Sequence, residues 1–473
     1  MVRNFLYNAT YQIFVLLVPL VTVPYISRVL GSDGVGINAY TNSVISYFVL
    51  MSGMGINLYG NRKVAYVRDD DEELSKTFWE IQLIHMCFST ISLLLFWTIL
   101  TTTSLFSQYA HYYEFQALFI VADVFDITWL FMGLENFRRT VLRNALVKII
   151  SISMIFVLIK TPQDLGKYIL LLSLSMLFSN LTLWLGLKKV IKILPFRSLK
   201  FKKHVVPIFV LFLPQVSLQI YFVLNKTMIG IFTNVQNVAY YENSDKLVKI
   251  VLAIVTATGT VMLPRMANNF ANKNYNAMRK LIYTSFDFVS AMSFPLSFGL
   301  AAISPTFCLV FFGRQFMILG TLVPILSCII IFMGWSGVIG TQYLIPTNQN
   351  KKYTISVSIG ALVSFFANLI FINILGIYGA VLATVICEIS VLIVQLCLIR
   401  NELNVVMLFE GVWKYLASAA VMYACVRILN KSMGTTVPSF IIQICLGIIV
   451  YIVMVLITKG KIVHTFILYF NHK

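Results

Sequence analysis

Fourteen apolar runs, each at or near the length needed to cross a lipid bilayer, leave this 473-residue chain little choice of fold. They lie at about 5–27, 37–59, 79–103, 112–134, 145–160, 166–187, 207–232, 238–263, 281–304, 318–341, 354–374, 376–399, 411–430 and 437–458. Hydrocarbon about 30 Å thick needs roughly 20 apolar residues per helix, and only a helix or a closed barrel satisfies every backbone N–H and C=O there. At roughly 33 residues per helix and connection, such spans use up the whole length. The expected fold is an all-α integral membrane protein of about 14 transmembrane helices. Apolar residues make up 59% and charged residues 11%, with a mean hydropathy of +0.85. Soluble domains run at about 45–50% and about 25%. A disordered chain, a disulfide-stapled secreted domain and an enzyme with a large extramembrane module are excluded. The first run lacks a small-x-small cleavage site and reads as a retained helix.

Lys and Arg number 36 against 18 Asp and Glu, a net charge of +18. In a soluble protein that excess would suggest nucleic acid. Here the cations lie between apolar runs, so they read as topology, and no nucleic-acid partner is expected. With the N-terminus inside, only Arg28, Lys160, Lys167, Arg314, Arg427 and Lys431 fall in outer connections. Lys226, Lys246 and Lys249 sit within or at the edge of spans, and the other 27 lie on the inner side. That asymmetry predicts both termini on the cytoplasmic side of the membrane. The longest outer connections, about 101–113 and 305–317, are too short for a folded module. A polysaccharide polymerase or ligase would need a long catalytic outer loop, so no enzyme is expected. Seven cysteines (Cys87, Cys308, Cys328, Cys387, Cys397, Cys425 and Cys445) mostly lie inside apolar runs, with no C-x-x-C or paired His. They read as packing residues, and no metal site is expected. With no phosphate-cradling glycine loop, no nucleotide cofactor is expected, and transport would draw on a substrate or ion gradient.

Two segments repeat in order. Ile13–Pro19 reads I-F-V-L-L-V-P and Ile208–Pro214 reads I-F-V-L-F-L-P, while Ala39-Tyr40-Thr41-Asn42-Ser43 faces Tyr240-Tyr241-Glu242-Asn243-Ser244. Six spans separate the copies, so both start on the same side and the repeat is parallel. Halves related in this way enclose a central binding site and alternate access by rocking. The expected organisation is a six-helix bundle over 1–187, a basic cytoplasmic linker over 188–206, a second six-helix bundle over 207–399, and two further helices with a tail over 400–473. The linker cations would rest on anionic membrane lipid.

Ionisable groups within spans are costly and therefore candidates for function. Asp123 and Asp126 stand three apart in the fourth run and are expected to share a helix face, as a proton or cation site or a gating switch, or as partners in a salt bridge. Arg28 closes the first span; Lys226 lies in the seventh; Lys246 and Lys249 occupy the eighth beside Asp245. Cations around a cavity suit a diphosphate head group, although snorkelling to the interface is the alternative for each. His85 and Asp287 are expected to serve as packing partners. Pro19 and Pro214 occupy equivalent repeat positions, so a gating kink there would be two-fold.

The residues also resemble a known family. Ser27-Arg28-Val29-Leu30-Gly31 with Gly34-Val35-Gly36, the run Asp126-Ile127-Thr128-Trp129-Leu130-Phe131-Met132-Gly133-Leu134-Glu135-Asn136-Phe137, Tyr240-Tyr241-Glu242-Asn243, Met262-Leu263-Pro264-Arg265 and Gln349-Asn350-Lys351-Lys352-Tyr353 carry the likeness. Gly376-Ile377-Tyr378-Gly379-Ala380 and Glu388 extend it, over about residues 5–400. The chain resembles bacterial polysaccharide repeat-unit flippases of the multidrug/oligosaccharidyl-lipid/polysaccharide exporter superfamily. The resemblance implies two six-helix bundles plus two helices around a cationic cavity. It also implies movement of undecaprenyl-diphosphate-linked oligosaccharide to the outer leaflet, for capsular or exopolysaccharide synthesis beside glycosyltransferases and a polymerase. An arginine at the end of the first helix lies in the cavity of related lipid flippases, which corresponds to Arg28. Relatives often read Asp before a basic residue in the seventh helix, where this chain has Asn225-Lys226. The alternative within the superfamily is a cation-coupled multidrug exporter.

Overall fold

The computed structural model describes residues 2–135, 137–192, 195, 199–433 and 436–462. Side chains in 2–17, 105, 137–142, 189, 213–215, 217–218, 220–222, 260–261 and 437 lie outside the described set. Among the described residues there is no strand, and the elements are helices joined by short connections. The chain divides into two compact units, Met1–Thr227 and Met228–Lys473.

The first unit contains α1 (Val2–Gly53), α2 (Ile56–Val67), α3 (Asp71–Thr102), α4 (Ala110–Val124), α5 (Thr128–Gly133), α6 (Phe137–Leu158), α7 (Leu165–Trp184) and most of α8 (Lys202–Phe232). α1 holds the first two expected spans, because its helical dihedrals break at Gly31, with φ 67° and ψ −174°. That backbone conformation is open to glycine at no steric cost. α3 starts where the sequence supplies both a cap and a charge pattern. The Asp70 carboxylate accepts from the Glu72 and Glu73 N–H groups, and Asp71, Glu72 and Glu73 fill the first turn. At one end of the unit α2 and α5 cross closely. A Cβ on Gly60 would lie 2.6 Å from the Trp129 ring, so only glycine fits there. Trp129 stacks on Phe78 at 5.6 Å, and Val64, Leu74, Ile81 and Ile208 close the buried cluster around them. Each such side chain removed from water contributes about 1.5–3 kcal/mol.

The second unit runs from the end of α8 through α9 (Val235–Ala271), α10 (Tyr275–Phe312), α11 (Leu319–Leu326), α12 (Ile329–Ile339), α13 (Asn350–Leu375), α14 (Ile377–Ile399), α15 (Val405–Phe409), α16 (Val412–Ser432) and α17 (Val437–Ile457). α10 packs against α12 and α16, and Phe286 stacks on Trp335 at 5.5 Å while the Trp335 indole donates to Ser290 Oγ at 2.8 Å. Asp287, also on α10, accepts from the Tyr415 hydroxyl of α16 at 2.9 Å.

Among the described residues, eleven helices are long and apolar enough to cross a membrane by length and composition. One of these, Val18–Val67, holds two expected spans, and the expected spans at 145–160 and 207–232 fall in α6 and α8. The expected all-helical fold with about 14 spans is therefore the observed one.

Candidate functional site

The fourth apolar run is not one helix. α4 ends at Val124, Phe125–Ile127 leave helical geometry, and α5 restarts at Thr128. The expected shared face for Asp123 and Asp126 is thereby corrected. Asp126 sits outside the helix, where its Oδ1 accepts from the Thr128 N–H at 2.8 Å and its Oδ2 from Asn57 Nδ2 at 3.4 Å. A carboxylate that accepts the N–H two residues on closes an Asx turn, and Asp126-Ile127-Thr128 ahead of an apolar turn was the readable signal for it.

Asp123 turns the other way, into the bundle, and is 6% exposed. Its Oδ2 accepts from Ser52 Oγ of α1 at 2.6 Å and meets His85 Nε2 of α3 at 3.1 Å, while Ser52 Oγ reaches Ser89 Oγ at 2.6 Å. α1 also presents Gly53 here, where a Cβ would stand 3.5 Å from Asp123 Oδ2, an ordinary contact distance. Beside this cluster lies a cavity of about 360 Å³. Asn42, Ser46, Gly53, Asn57, Asp123 and Gln219 supply its polar part, so α1, α4 and α8 all contribute. His85, expected as a packing residue, is thus the buried partner of the candidate carboxylate.

The expected cations fall in separate settings. Arg28 is exposed, three residues before the Gly31 break. Lys226 is half-buried, within electrostatic reach of Tyr47. In the second unit, Lys246 pairs with Glu242 at 2.9 Å and Lys249 with Asp245 at 2.7 Å, both one turn apart on α9. Those two lysines meet an anion only by sharing it with their carboxylates. Pro19 lies inside α1, and the side chain of Pro214 is outside the described residues.

Two polar clusters escaped the sequence. Glu80 of α3, 1% exposed, accepts from the Lys200 backbone N–H at 2.6 Å and pairs with Lys203 Nζ at 2.8 Å and His204 Nε2 at 2.7 Å. Burial holds the His204 imidazole below its ordinary value, against the pull of Glu80, and the Tyr59 hydroxyl meets its Nδ1 at 2.6 Å. In the second unit Glu402 accepts from Tyr343 Oη at 2.7 Å, from Gln349 Nε2 at 2.8 Å and from Lys352 Nζ. Burial raises the Glu402 carboxyl, but the bond from Lys352 and its two companions outweigh that and hold it below the usual range. Among the described residues no group of three or more His, Cys, Asp or Glu is placed to hold a metal ion.

A long apolar groove runs along the second unit, about 930 Å³ in volume, between α10, α16 and α17. Pro295, Gly299, Met422, Gly447, Tyr451 and Val455 are among its walls.

The family described as "Polysaccharide biosynthesis protein" matches residues 1–270, more than half the chain. The chain belongs to that family. A second description, "Lipid II flippase MurJ", matches residues 149–450, and both lie within the multidrug/oligosaccharidyl-lipid/polysaccharide exporter superfamily. A "Putative O-antigen transporter" of Shigella dysenteriae is 20% identical over 384 residues, 80% of this chain and 95% of that protein. Another of the same description, from Escherichia coli (strain K12), is 26% identical over 169 residues, 35% of this chain and 40% of that one. Among solved structures, the lipid II flippase MurJ in an inward closed conformation matches this polysaccharide-family chain with a TM-score of 0.79 at 15% identity, over 97% of this chain and 100% of that one. An inward-facing multidrug resistance MATE family transporter matches with a TM-score of 0.61 at 12% identity, over 84% and 99%. These likenesses carry the fold.

Proposed function

We propose that the protein is a flippase that moves a lipid-linked oligosaccharide across a bacterial cell membrane, from the cytoplasmic to the outer leaflet, by alternating access. The observation that carries the reading is a polar cavity within a unit built of membrane-spanning helices. The first unit holds this cavity, with Asp123, Asn42, Asn57 and Gln219 at its wall. A polar lining among apolar spans is costly unless a polar ligand uses it, and a sugar head group is such a ligand. The names of the O-antigen transporters and of MurJ support the same class of substrate.

In the finer reading the carrier is undecaprenyl diphosphate and the product a capsular or exopolysaccharide, with glycosyltransferases and a polymerase as working partners. The halves are the bundles 1–187 and 207–399, joined by the basic segment 188–206, with 400–473 adding two helices and both termini cytoplasmic. Arg28 and Lys226 bind the diphosphate, joined by Lys246 and Lys249 once the anion shares them with Glu242 and Asp245. Asp123 serves coupling, Asp126 fixes the α4–α5 corner, and Pro19 and Pro214 permit the gating bend. Deleting the gene in the native host tests this: lipid-linked repeat units should collect on the cytoplasmic side and surface polymer should vanish. Normal surface polymer, with no second flippase present, refutes it.

A second reading, a cation-coupled drug exporter, draws on Asp123, since the lining of its cavity includes no Lys or Arg. Efflux of organic cations by reconstituted protein that ignores lipid-linked glycans would favour it.

A further inference from the structure

We propose that the cavity of the first unit is the seat of the sugar next to the diphosphate, and that it selects neutral or amino sugars against acidic ones. This rests on the flippase reading and deepens it by naming the sugar class.

The lining sets the chemistry. Asn42, Ser46, Val49 and Gly53 recur along one face of α1, a stripe about 16 Å long at 1.5 Å per residue. Among the described residues the side-chain amides of Asn42 and Gln219 have no hydrogen-bond partner, although both line the cavity. Ser46 donates its hydroxyl hydrogen to the Asn42 backbone carbonyl at 2.6 Å, which leaves its oxygen free to accept. An amide offers two donors and an acceptor, and a sugar hydroxyl offers one donor and two acceptors, so the two match. An enclosed apolar drug would leave those amides unsatisfied.

Asp123 sets the charge. Its Oδ2 is taken by Ser52 and His85, and its Oδ1 has no partner among the described residues, although the carboxylate lines the cavity. His85 Nδ1 is buried and likewise has no partner among the described residues, while its Nε2 faces Asp123 Oδ2 at 3.1 Å. Asp126, the other nearby carboxylate, reaches the same region through Asn57. With no Lys or Arg in the lining, a sugar carboxylate would face the Asp123 carboxylate with only neutral amide and hydroxyl donors to offset it, whereas an ammonium or hydroxyl donates to Oδ1. At about 360 Å³ the space lies at the small end of the usual ligand range of about 300–1,000 Å³, which suits one end of an oligosaccharide rather than the whole.

Equilibrium binding to the full-length protein in lipid nanodiscs tests this, with short-chain prenyl diphosphates bearing glucose, glucosamine or glucuronic acid. Glucose and glucuronic acid share a ring and differ only at C6. Wild type should bind the glucose and glucosamine forms about tenfold or more tightly than the glucuronic acid form, a difference of about 1.4 kcal/mol. Asp123→Asn should cut that preference to within about threefold, and Gln219→Lys, which leaves the carboxylate cluster intact, should turn it toward the acidic sugar. Equal binding of all three probes by wild type overturns the sugar assignment and leaves the flippase reading standing. An unchanged preference in both variants overturns it as well. Failure of wild type to bind any probe defeats the flippase reading and this proposal with it.

Discussion

Replacing Glu80 by alanine removes the acceptor on which three N–H groups of the linker and of α8 converge. The Lys200 backbone N–H reaches Oε1 at 2.6 Å, and His204 Nε2 and Lys203 Nζ reach Oε2 at 2.7 and 2.8 Å. His204 is fully buried, so its ring N–H would be stranded, and the Lys200 N–H would lose its acceptor; each such loss costs about 1–3 kcal/mol. Lys203 is partly exposed and keeps Glu73 at 3.8 Å, so it adds little. The expected loss is about 4 kcal/mol, the sum of those two lost acceptors. At about 2–4 °C per kcal/mol for a unit of this size, the first unit should melt about 8–16 °C lower. Tryptophan fluorescence reads this directly, because Trp79, whose indole donates to the Lys192 carbonyl, and Trp129 both report on that end of the unit. Glu80→Gln, which keeps one carbonyl oxygen, should fall between wild type and Glu80→Ala. A double-mutant cycle with His204→Ala should show coupling of about 1 kcal/mol or more. Melting of Glu80→Ala within about 2 °C of wild type, or strict additivity in the cycle, would refute the idea that this carboxylate clasps linker to bundle.

Three further outcomes follow from the same geometry. His204 is held below its ordinary value in the folded state, so the unfolded chain binds the proton more readily; the stability this confers is present above about pH 6.5 and is lost as pH falls through the lower folded value. Melting between pH 8 and pH 5 measures it as an order-of-magnitude range, and a His204→Asn protein that keeps the same slope counts against the assignment. Gly60→Ala should cost about 1–3 kcal/mol, because its Cβ would sit 2.6 Å from the buried Trp129 ring, and unchanged melting would show that α2 and α5 can separate freely. Arg28→Ala, Lys226→Ala and Lys249→Ala should each abolish surface polymer while membrane insertion, read by protease accessibility, stays normal; full polymer in all three removes the cationic-cavity proposal.

How much was legible without coordinates differs by kind of interaction. The helices were, because hydrocarbon forces every backbone group to find its partner within its own segment, and apolar length alone then marks the span. The family was too, since the Trp129-Leu130-Phe131 run and the Tyr240-Tyr241-Glu242 run are local strings. The break at Phe125–Ile127 had a signal in the Asp126 turn, but the apolar run across it masked that signal.

What no local pattern could supply is which polar group meets which. His85 stands 38 residues from Asp123, and His204 stands 124 from Glu80. Hydrophobicity decides which segments enter the membrane one segment at a time, so the sequence by itself determined the spans. A buried carboxylate takes whichever donor the packing of neighbouring helices brings within about 3 Å, and that choice exists only in three dimensions. The tertiary structure therefore decided that Asp123 faces a polar cavity, that Asp126 closes a turn at a corner instead, and that the basic linker is tied down by Glu80.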